Sequence, residues 1–242
     1  MRINKFIAQL GLASRREADR LIELRLILVN NKVVELGQQI EVGDELSYKG
    51  KTYQFNEKQK HSYYAFNKPS NVVCTCAEDE PNNIISYIQK RYPETKKTRL
   101  YPVGRLDKNS RGLILLTNDG DLSQTLSHPK HEHEKEYLVT CTDKIDYAFI
   151  EAFCKGVTIY KEDEGEDDER VKTKPCKAKF VNSRQFTCIL EQGYKRQIRK
   201  MVVELNNRVK DLQRIRIAGL KLANLAESEL IKLEYSDIFA DD

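Results

Sequence analysis

The chain has 242 residues, of which 40% are hydrophobic and 32% are charged, and no apolar run is long enough to cross a membrane. Its polar start, MRINKFIAQLG, is unlike a secretory signal. We therefore expect a cytoplasmic protein with a sizeable core, no membrane contact and six reduced cysteines.

Charge is distributed unevenly along the chain. Residues 161–170 (KEDEGEDDER) contain seven acids and two bases, a net charge of −5, so with a whole-chain charge of +4 the remainder carries +9. A basic body favours a polyanionic partner such as a nucleic acid. The acidic run is predicted to be a solvated loop between strands.

Residues 1–58 are predicted to form a small unit with a basic helix. Ser14 and Glu17 have the spacing of a capping box, which marks the helix start. An apolar face follows, made of Ala18, Leu21 and Ile22. Three arginines project elsewhere, namely Arg15, Arg16 and Arg20. Spacing alone leaves open whether they are simply solvated or contact a ligand. A strand at 26–29 and a hairpin at 46–55 complete the unit.

After a polar linker at 56–62, a larger unit is predicted over residues 63–242. Its strand candidates are Tyr63–Asn67, Leu113–Thr117, Glu136–Cys141, Lys177–Val181 and Phe186–Glu191. Its helix candidates are Tyr147–Lys155, ending before Gly156, and Arg196–Asn206. Strands and helices mix without regular βαβ alternation, so we predict an α+β fold.

Asp107 is the first candidate for chemistry. It lies between Arg105 and Lys108 in a turn that leads into the apolar run at 113–116. Such an aspartate often only caps a turn. However, a strand buried on both faces would anchor the turn rigidly, and the flanking cations favour an ionised carboxylate.

Two further candidates have equally ordinary alternatives. Arg199 borders the apolar stripe of the late helix, where it is either a surface arginine with a buried stem or a guanidinium that lines a cleft. Tyr137, in a predicted strand, is either a packing residue or an aromatic that contacts a ligand.

A metal site is not expected. His128, His131 and His133 cluster with Glu132, but the segment reads as a loop and no cysteine is close by in sequence. Glycine-rich phosphate loops and hydrolase or metalloprotease motifs are missing from the sequence. We predict no metal and no cofactor.

Three segments together resemble the RsuA-type pseudouridine synthases. They are GRLD at 104–107, KEY at 135–137 and GYKRQIRKM at 193–201. The longer segments HEKEYLV and LEQGYKRQIRKM are most similar to the group that acts on large-subunit ribosomal RNA. The amino-terminal unit resembles the RNA-binding domain first described in ribosomal protein S4, in its residues Arg2, Lys5, Gly11, Ser14, Arg15, Arg16, Ala18, Val29 and Asn30. The resemblance spans about residues 1–233.

The resemblance implies a fold and a set of residue roles. It implies an RNA-binding domain linked to a catalytic domain with a mixed, mostly antiparallel sheet and a central cleft. Asp107 corresponds to the catalytic aspartate, Arg199 to its basic partner and Tyr137 to an aromatic that stacks on uracil. Arg105 corresponds to an arginine that fills the gap left by a flipped nucleotide. The implied RNA-binding residues are Arg2, Lys5, Ser14, Arg15, Arg16, Arg20, Arg105, Lys195 and Arg196.

The resemblance further implies a substrate. We expect uridine isomerisation in ribosomal RNA, most specifically 23S RNA, by a monomer; 16S RNA and tRNA remain alternatives. A rival from another class is a non-catalytic RNA-binding assembly factor, and a metal-dependent nuclease fits less well. Three positions depart from the glycine that is usual in these families: Arg25, Asn31 and Asn71. Arginine tolerates a left-handed backbone less readily than asparagine does, so the turn at Arg25 is the least secure part of the resemblance.

Overall fold

The computed structural model describes residues 1–55, 61–127, 133–161 and 169–240. The predicted α+β class is confirmed, with a small amino-terminal domain followed by a larger one. The predicted boundaries at 58 and 63 stay a prediction, since residues 56–60 lie outside the described ranges. Within those ranges, no helix combines the length and apolar character needed to span a bilayer.

The amino-terminal domain packs two helices on a small antiparallel sheet of strand order β2-β1-β3-β4. Its elements are α1 (Ile3–Gln9), α2 (Arg15–Glu23), β1 (Leu28–Val29), β2 (Lys32–Val33), β3 (Glu45–Tyr48) and β4 (Lys51–Gln54). The predicted cap is present, because the Glu17 backbone N–H donates to Ser14 Oγ over 3.1 Å. Phe6 of α1 packs edge-on against Phe55 in the core of this domain.

The larger domain is built on a sheet of strand order β11-β12-β8-β13-β7-β5-β15, in which β6 also pairs with β7 and β14 with β13. Its strands are β5 (Tyr63–Lys68), β6 (Tyr101–Val103), β7 (Arg111–Thr117), β8 (Lys135–Cys141), β9 (Thr158–Lys161), β10 (Glu169–Lys172), β11 (Lys177–Asn182), β12 (Gln185–Leu190), β13 (Val209–Ile217), β14 (Leu220–Lys221) and β15 (Leu230–Leu233). Its α-helices within the described ranges are α3 (Ile84–Arg91), α4 (Gly120–Ser127), α5 (Tyr147–Cys154) and α6 (Gln197–Glu204).

One pairing departs from the antiparallel pattern of this sheet. β13 and β7 run parallel, with Gln213 opposite Arg111 and Arg214 opposite Gly112. The other strand pairs recorded in the described part of this sheet are antiparallel. The loop that carries Asp107 enters β7 at this seam.

The apolar run of β7 is buried on both faces, as predicted. Leu113 and Leu115 pack into one cluster with α4, whereas Ile114 and Leu116 pack into another with α3. All four are fully buried. The strand is therefore held from two sides, which fixes the position of its amino-terminal end.

Three predictions about element boundaries need correction. β9 and β10 extend into the acidic run, joined by the ion pair of Lys161 with Glu169, so the predicted loop at 161–170 is wrong at both ends; residues 162–168 lie outside the described ranges. α6 begins at Gln197 because Arg196 adopts a left-handed backbone with φ 55°. The strand predicted at 26–29 is limited to β1, because the Leu26 N–H donates to Leu21 O over 3.0 Å and so belongs to the turn that ends α2.

Candidate active site

Asp107 lies in the loop between β6 and β7, and its side chain is 34% exposed. The Ser110 backbone N–H donates to the Asp107 carbonyl over 3.0 Å, which closes a tight turn around the acid. Gly104 enters the loop with φ 69°, a left-handed conformation that suits glycine. The carboxylate therefore stands at the rim of the core on a short, structured loop.

Arg199 of α6 reaches this loop. Its Nε lies 3.9 Å from Asp107 Oδ2, and its Nη2 donates to Asn109 O over 3.1 Å and to Ser110 Oγ over 3.2 Å. Its Nη1 donates to Val209 O over 3.3 Å. Only 13% of the Arg199 side chain is exposed, so the guanidinium is largely removed from water beside the acid. The structure thus brings together the two residues that the sequence places far apart.

The helix that carries Arg199 is anchored by its apolar face. Ile198, Met201 and Val202 are buried in the cluster formed with β8 and β12. Burial lowers the pKa of Arg199, as does the neighbouring Arg196, whereas the charge of Asp107 acts in the opposite direction. Because arginine is so strongly basic, Arg199 remains a cation at neutral pH despite this shift.

Tyr137 lies on β8 between β12 and β13, opposite Cys188 on one side and Arg214 on the other. Its side chain is partly buried and contacts two core clusters. One contains Ile198 of α6, and the other contains Leu106, the residue before Asp107. Tyr137 is thus positioned between the helix that carries Arg199 and the loop that carries Asp107.

Lys68 forms part of the support beneath the Asp107 loop. The side chain is fully buried, and its Nζ donates to Pro69 O, Val72 O and, over 3.4 Å, Lys108 O. The Asn71 backbone N–H also donates to Lys108 O over 2.8 Å. Burial lowers the pKa of Lys68 to about 8, although the nearby Cys74 and Asp107 oppose this shift.

The three residues that replace the usual glycine all adopt a left-handed backbone. Asn71, which binds Lys108 O, has φ 67°, and Arg25 and Asn31 have φ 55° and φ 61°. Arg25 follows α2, so the amino-terminal domain forms its turn with a residue that is strained in this conformation.

The residues predicted to bind RNA form two groups, one near the candidate site and one in the amino-terminal domain. Near the candidate site, the side chains of Arg105, Lys195 and Arg196 are exposed. In the amino-terminal domain, the exposed residues are Arg2, Ser14, Arg15, Arg16 and Arg20. Lys5 differs, because its Nζ binds both carboxylate oxygens of Asp121 on α4, at 2.6 Å and 2.9 Å. Ser14 is also engaged as the cap of α2. None of these placements tests whether these particular residues bind RNA, so their roles stay predictions.

Two further features bear on the sequence predictions. His128 and His131 lie outside the described ranges; within those ranges, no group of three or more His, Cys, Asp or Glu side chains is arranged to hold a metal. A hollow of about 280 Å³ lies beside Glu134, Lys177 and Gln192. The predicted cleft between Asp107 and Arg199 stays a prediction.

Sequence reasoning missed two buried cations that contact the Asp107 loop. Lys68 lies between an apolar strand and Pro69, where a lysine is usually interpreted as the exposed end of a strand. Arg214 lies within DLQRIRI, where alternating charges mask a central strand. A lysine or arginine spaced with buried apolar residues was the available signal in both cases.

Comparison with known proteins identifies the family. A family model described as RNA pseudouridylate synthase matches residues 62–204, and an S4 domain model matches residues 1–46. The dual-specificity RNA pseudouridine synthase RluF of Escherichia coli (strain K12) is 36% identical over 241 residues, covering 96% of this chain and 78% of that protein. This chain belongs to the RNA pseudouridylate synthase family. It is therefore an isomerase that acts on RNA, with an RNA-binding S4 domain preceding the synthase domain.

Other pseudouridine synthases match over similar lengths. The ribosomal large subunit pseudouridine synthase B of Bacillus subtilis (strain 168) is 33% identical, covering 93% of this chain and 88% of that protein. The ribosomal small subunit pseudouridine synthase A of Haemophilus influenzae is 31% identical, covering 98% of each chain. A solved structure described as a pseudouridylate synthase superposes with a TM-score of 0.66 at 31% identity, covering 98% of each chain.

Proposed function

We propose that this synthase isomerises a uridine in large-subunit ribosomal RNA, with Asp107, Tyr137 and Arg199 as its catalytic residues. The observation that carries the proposal is the pairing of Asp107 with Arg199 at 3.9 Å on a loop supported from beneath by buried cations. An acid and a guanidinium at this distance attract each other, and the guanidinium is the more shielded from water of the two, with 13% of its side chain exposed against 34% for the acid.

The reaction requires the glycosidic bond from C1′ to N1 of uracil to break and a bond from C1′ to C5 to form. The uracil turns in place, C5 loses its proton, and N1 gains one, so atoms balance within a single nucleoside. Asp107 acts at the sugar, either by attack at C1′ or by relay of a proton. Because the departing base is also the incoming nucleophile, the scheme needs no second substrate.

Arg199 orients the acid. Its guanidinium donates to the loop at Asn109 and Ser110, so it holds the backbone beside Asp107 as well as facing the carboxylate. A planar guanidinium suits this double role better than an ammonium, because its N–H donors are fixed in one plane.

Tyr137 and the basic residues around the site bind the RNA. Tyr137 presents an aromatic ring between the two catalytic segments, where it stacks on the uracil and assists removal of the C5 proton. The exposed Arg105 fills the space left by the extruded nucleotide. Lys195 and Arg196 bind phosphates near the site, and the basic residues of the S4 domain bind more distant RNA.

The choice of large-subunit RNA is supported by the HEKEYLV and LEQGYKRQIRKM segments and by the large-subunit synthase B of Bacillus subtilis. The similarity to small-subunit synthase A of Haemophilus influenzae makes small-subunit RNA the second candidate. We propose that the protein acts on either substrate in the cytoplasm and as a monomer. Mapping pseudouridine in 23S RNA, 16S RNA and tRNA from cells with and without this protein separates these substrates.

Replacement of the acid tests the catalytic assignment. Asp107→Asn keeps the size of the side chain and removes its charge, so single-turnover isomerisation should fall at least about 10³-fold. Its affinity for RNA should change less than about threefold, because the carboxylate is not proposed to bind RNA. Asp143→Asn, an exposed aspartate after β8, is the matched control and should behave as wild type. Near-normal turnover in Asp107→Asn would remove Asp107 from the mechanism.

A further inference from the structure

Arg214 is an arginine in the interior of the sheet. It lies on β13, 2% exposed, and its backbone faces Tyr137 on β8 at one side and Gly112 on β7 at the other. It therefore stands at the parallel seam where the Asp107 loop enters β7.

The guanidinium of Arg214 reaches both ends of the Asp107 loop. Its Nε donates to Leu113 O over 2.8 Å, beyond the loop, and its Nη1 donates to Arg105 O over 3.4 Å, before the acid. The two carbonyls are thus held by one rigid, planar group. The separation of the loop ends depends on the shape of this single side chain.

The setting of Arg214 is costly for a cation. Among the described residues it has no ion-pair partner, and its Nη2 is buried without a hydrogen-bond partner. A buried charge without a paired acid opposes folding, and an apolar side chain of similar volume would avoid that cost. Stability alone therefore does not explain why an arginine is found here. Its hydrogen bonds to both ends of the Asp107 loop do.

The backbone of Arg214 is in close contact with the same segment. Gly112 has φ 103°, and a Cβ at this position would lie 2.3 Å from Arg214 O and 2.6 Å from Arg214 N. The strand that carries Arg214 therefore lies against the start of β7 with no room for a side chain between them. A shift of β13 at this point would be transmitted directly to the loop.

We propose that Arg214 is a positioning residue that sets the catalytic geometry of Asp107 by holding both ends of its loop. The proposal rests on the proposed role of Asp107. Arg214 acts through backbone carbonyls and touches neither the RNA nor the reacting atoms. Arg199 supports the middle of the same loop through Asn109 and Ser110, so the two arginines hold different parts of it.

Two substitutions test the proposal in the full-length protein. Arg214→Lys keeps the charge but cannot bridge both carbonyls with one planar group, and Arg214→Met removes charge and donors. We expect single-turnover rates at saturating RNA to fall about 10-fold for Lys and about 10²-fold or more for Met, since small displacements of reacting groups have effects of this size. The dissociation constant for RNA should change less than about threefold, because Arg214 is buried and not exposed on the surface.

Hydrogen exchange gives a local readout that a general loss of stability would not reproduce. The Ser110 amide, which donates to Asp107 O, should exchange faster in both variants, while amides in the centres of β8 and β12 should not change. Arg216→Met is the matched control. Arg216 lies on the same strand but pairs with Glu134 and Glu136, so rate and Ser110 exchange should remain within about threefold of wild type.

The outcomes separate this inference from the proposed function. A slow Arg214→Lys with normal RNA affinity and faster Ser110 exchange supports the inference, and this variant decides the matter if Arg214→Met does not fold. Wild-type rates in folded Arg214 variants, alongside an inactive Asp107→Asn, overturn the role of Arg214 alone. If Asp107→Asn is itself active, the proposed function fails instead. If the Arg214 variants are slow and their amide hydrogens also exchange faster throughout β8 and β12, the role of Arg214 is purely structural and the inference is overturned.

Discussion

Arg199 faces Asp107 at 3.9 Å through an Nε that is buried and has no hydrogen-bond partner among the described residues. The other two nitrogens of the guanidinium are engaged by Val209, Asn109 and Ser110. The group is therefore held by two main-chain carbonyls and the Ser110 hydroxyl, and its Nε–H faces the acid. Hydrogen bonds of this kind often shorten only when substrate completes the site.

Replacing Arg199 with lysine should show whether the shape of its guanidinium matters in addition to its positive charge. Arg199→Lys retains a cation but cannot face Asp107 while also holding the loop, so the single-turnover rate should fall about 10²-fold with RNA affinity nearly unchanged. Rates measured at saturating RNA check this. Arg208→Lys, at an exposed arginine beyond the same helix, is the control and should retain its activity. Equal activity of the two variants would contradict a special role for Arg199.

The ring and the hydroxyl of Tyr137 should contribute separately. Tyr137→Phe keeps the stacking surface, so RNA affinity should be preserved while the rate falls about 10²-fold through loss of the group that assists proton removal. Tyr137→Leu loses both functions and should show a still lower rate. Pre-steady-state isomerisation of a uridine-containing RNA fragment distinguishes them. Full activity of the phenylalanine variant would limit Tyr137 to stacking.

The basic face of the S4 domain should govern affinity and its dependence on salt. Changing Arg15, Arg16 and Arg20 together to glutamine should reduce the salt slope of log K by about 2, if each arginine binds a phosphate of single-stranded RNA. The chemical step at saturating RNA should be nearly unaffected. Affinity measured over a range of salt concentrations tests this expectation.

A matched triple variant controls for loss of charge in general. Lys144, Lys179 and Arg184 are exposed on the synthase domain, and their replacement by glutamine removes the same charge. We expect a smaller change in the salt slope than in the S4 variant. A reduced chemical rate with unchanged affinity in the S4 variant would show that these arginines act on catalysis rather than capture.

Lys68 should leave a signature in the pH dependence of stability. Its pKa in the folded protein is about 8, below its usual 10.5, so the folded state releases this proton first as pH rises. The penalty of burying the charge is present in full below pH 8 and is relieved between pH 8 and 10.5. From pH 7 to 10, this group should raise the free energy of unfolding by about 2 to 3 kcal/mol.

Denaturant unfolding of the wild type and of Lys68→Met at both pH values isolates this contribution. The difference between the two proteins should change with pH by the stated amount, because the tyrosines and cysteines that also titrate are present in both. Lys90→Met, at an exposed lysine of α3, should show no such change. A pH-independent difference for Lys68→Met would place the pKa of Lys68 near its usual value.

The sequence predicts much of the fold because hydrophobic periodicity marks most elements clearly. β7 is evident from its four consecutive aliphatic residues, and α2 from its capping box and apolar face. β13 is hidden because a buried Arg214 breaks the expected alternation of apolar and polar residues. Its central position in the sheet depends on pairing with β7 and β8, which local sequence does not encode.

The candidate site was predictable only in part, because some of its contacts also depend on segments that are distant in sequence. Asp107, Tyr137 and Arg199 lie in recognisable segments, so resemblance makes them candidates without coordinates. For Lys68 and Arg214 the sequence shows only a cation spaced with apolar residues, and it does not show which carbonyl groups each cation binds. Their relation to the loop emerges only when distant strands are brought together.

The manner in which the Asp107 loop is held has a consequence for how enzymes of this kind diversify. The contacts from Lys68, Arg199 and Arg214 are made largely to main-chain oxygens, and the side chains of Lys108 and Asn109 point outward. If Asp107 is the catalytic acid, we expect substitutions at these two exposed positions to alter which RNA is accepted without displacing the carboxylate. Catalysis and target choice would then vary independently.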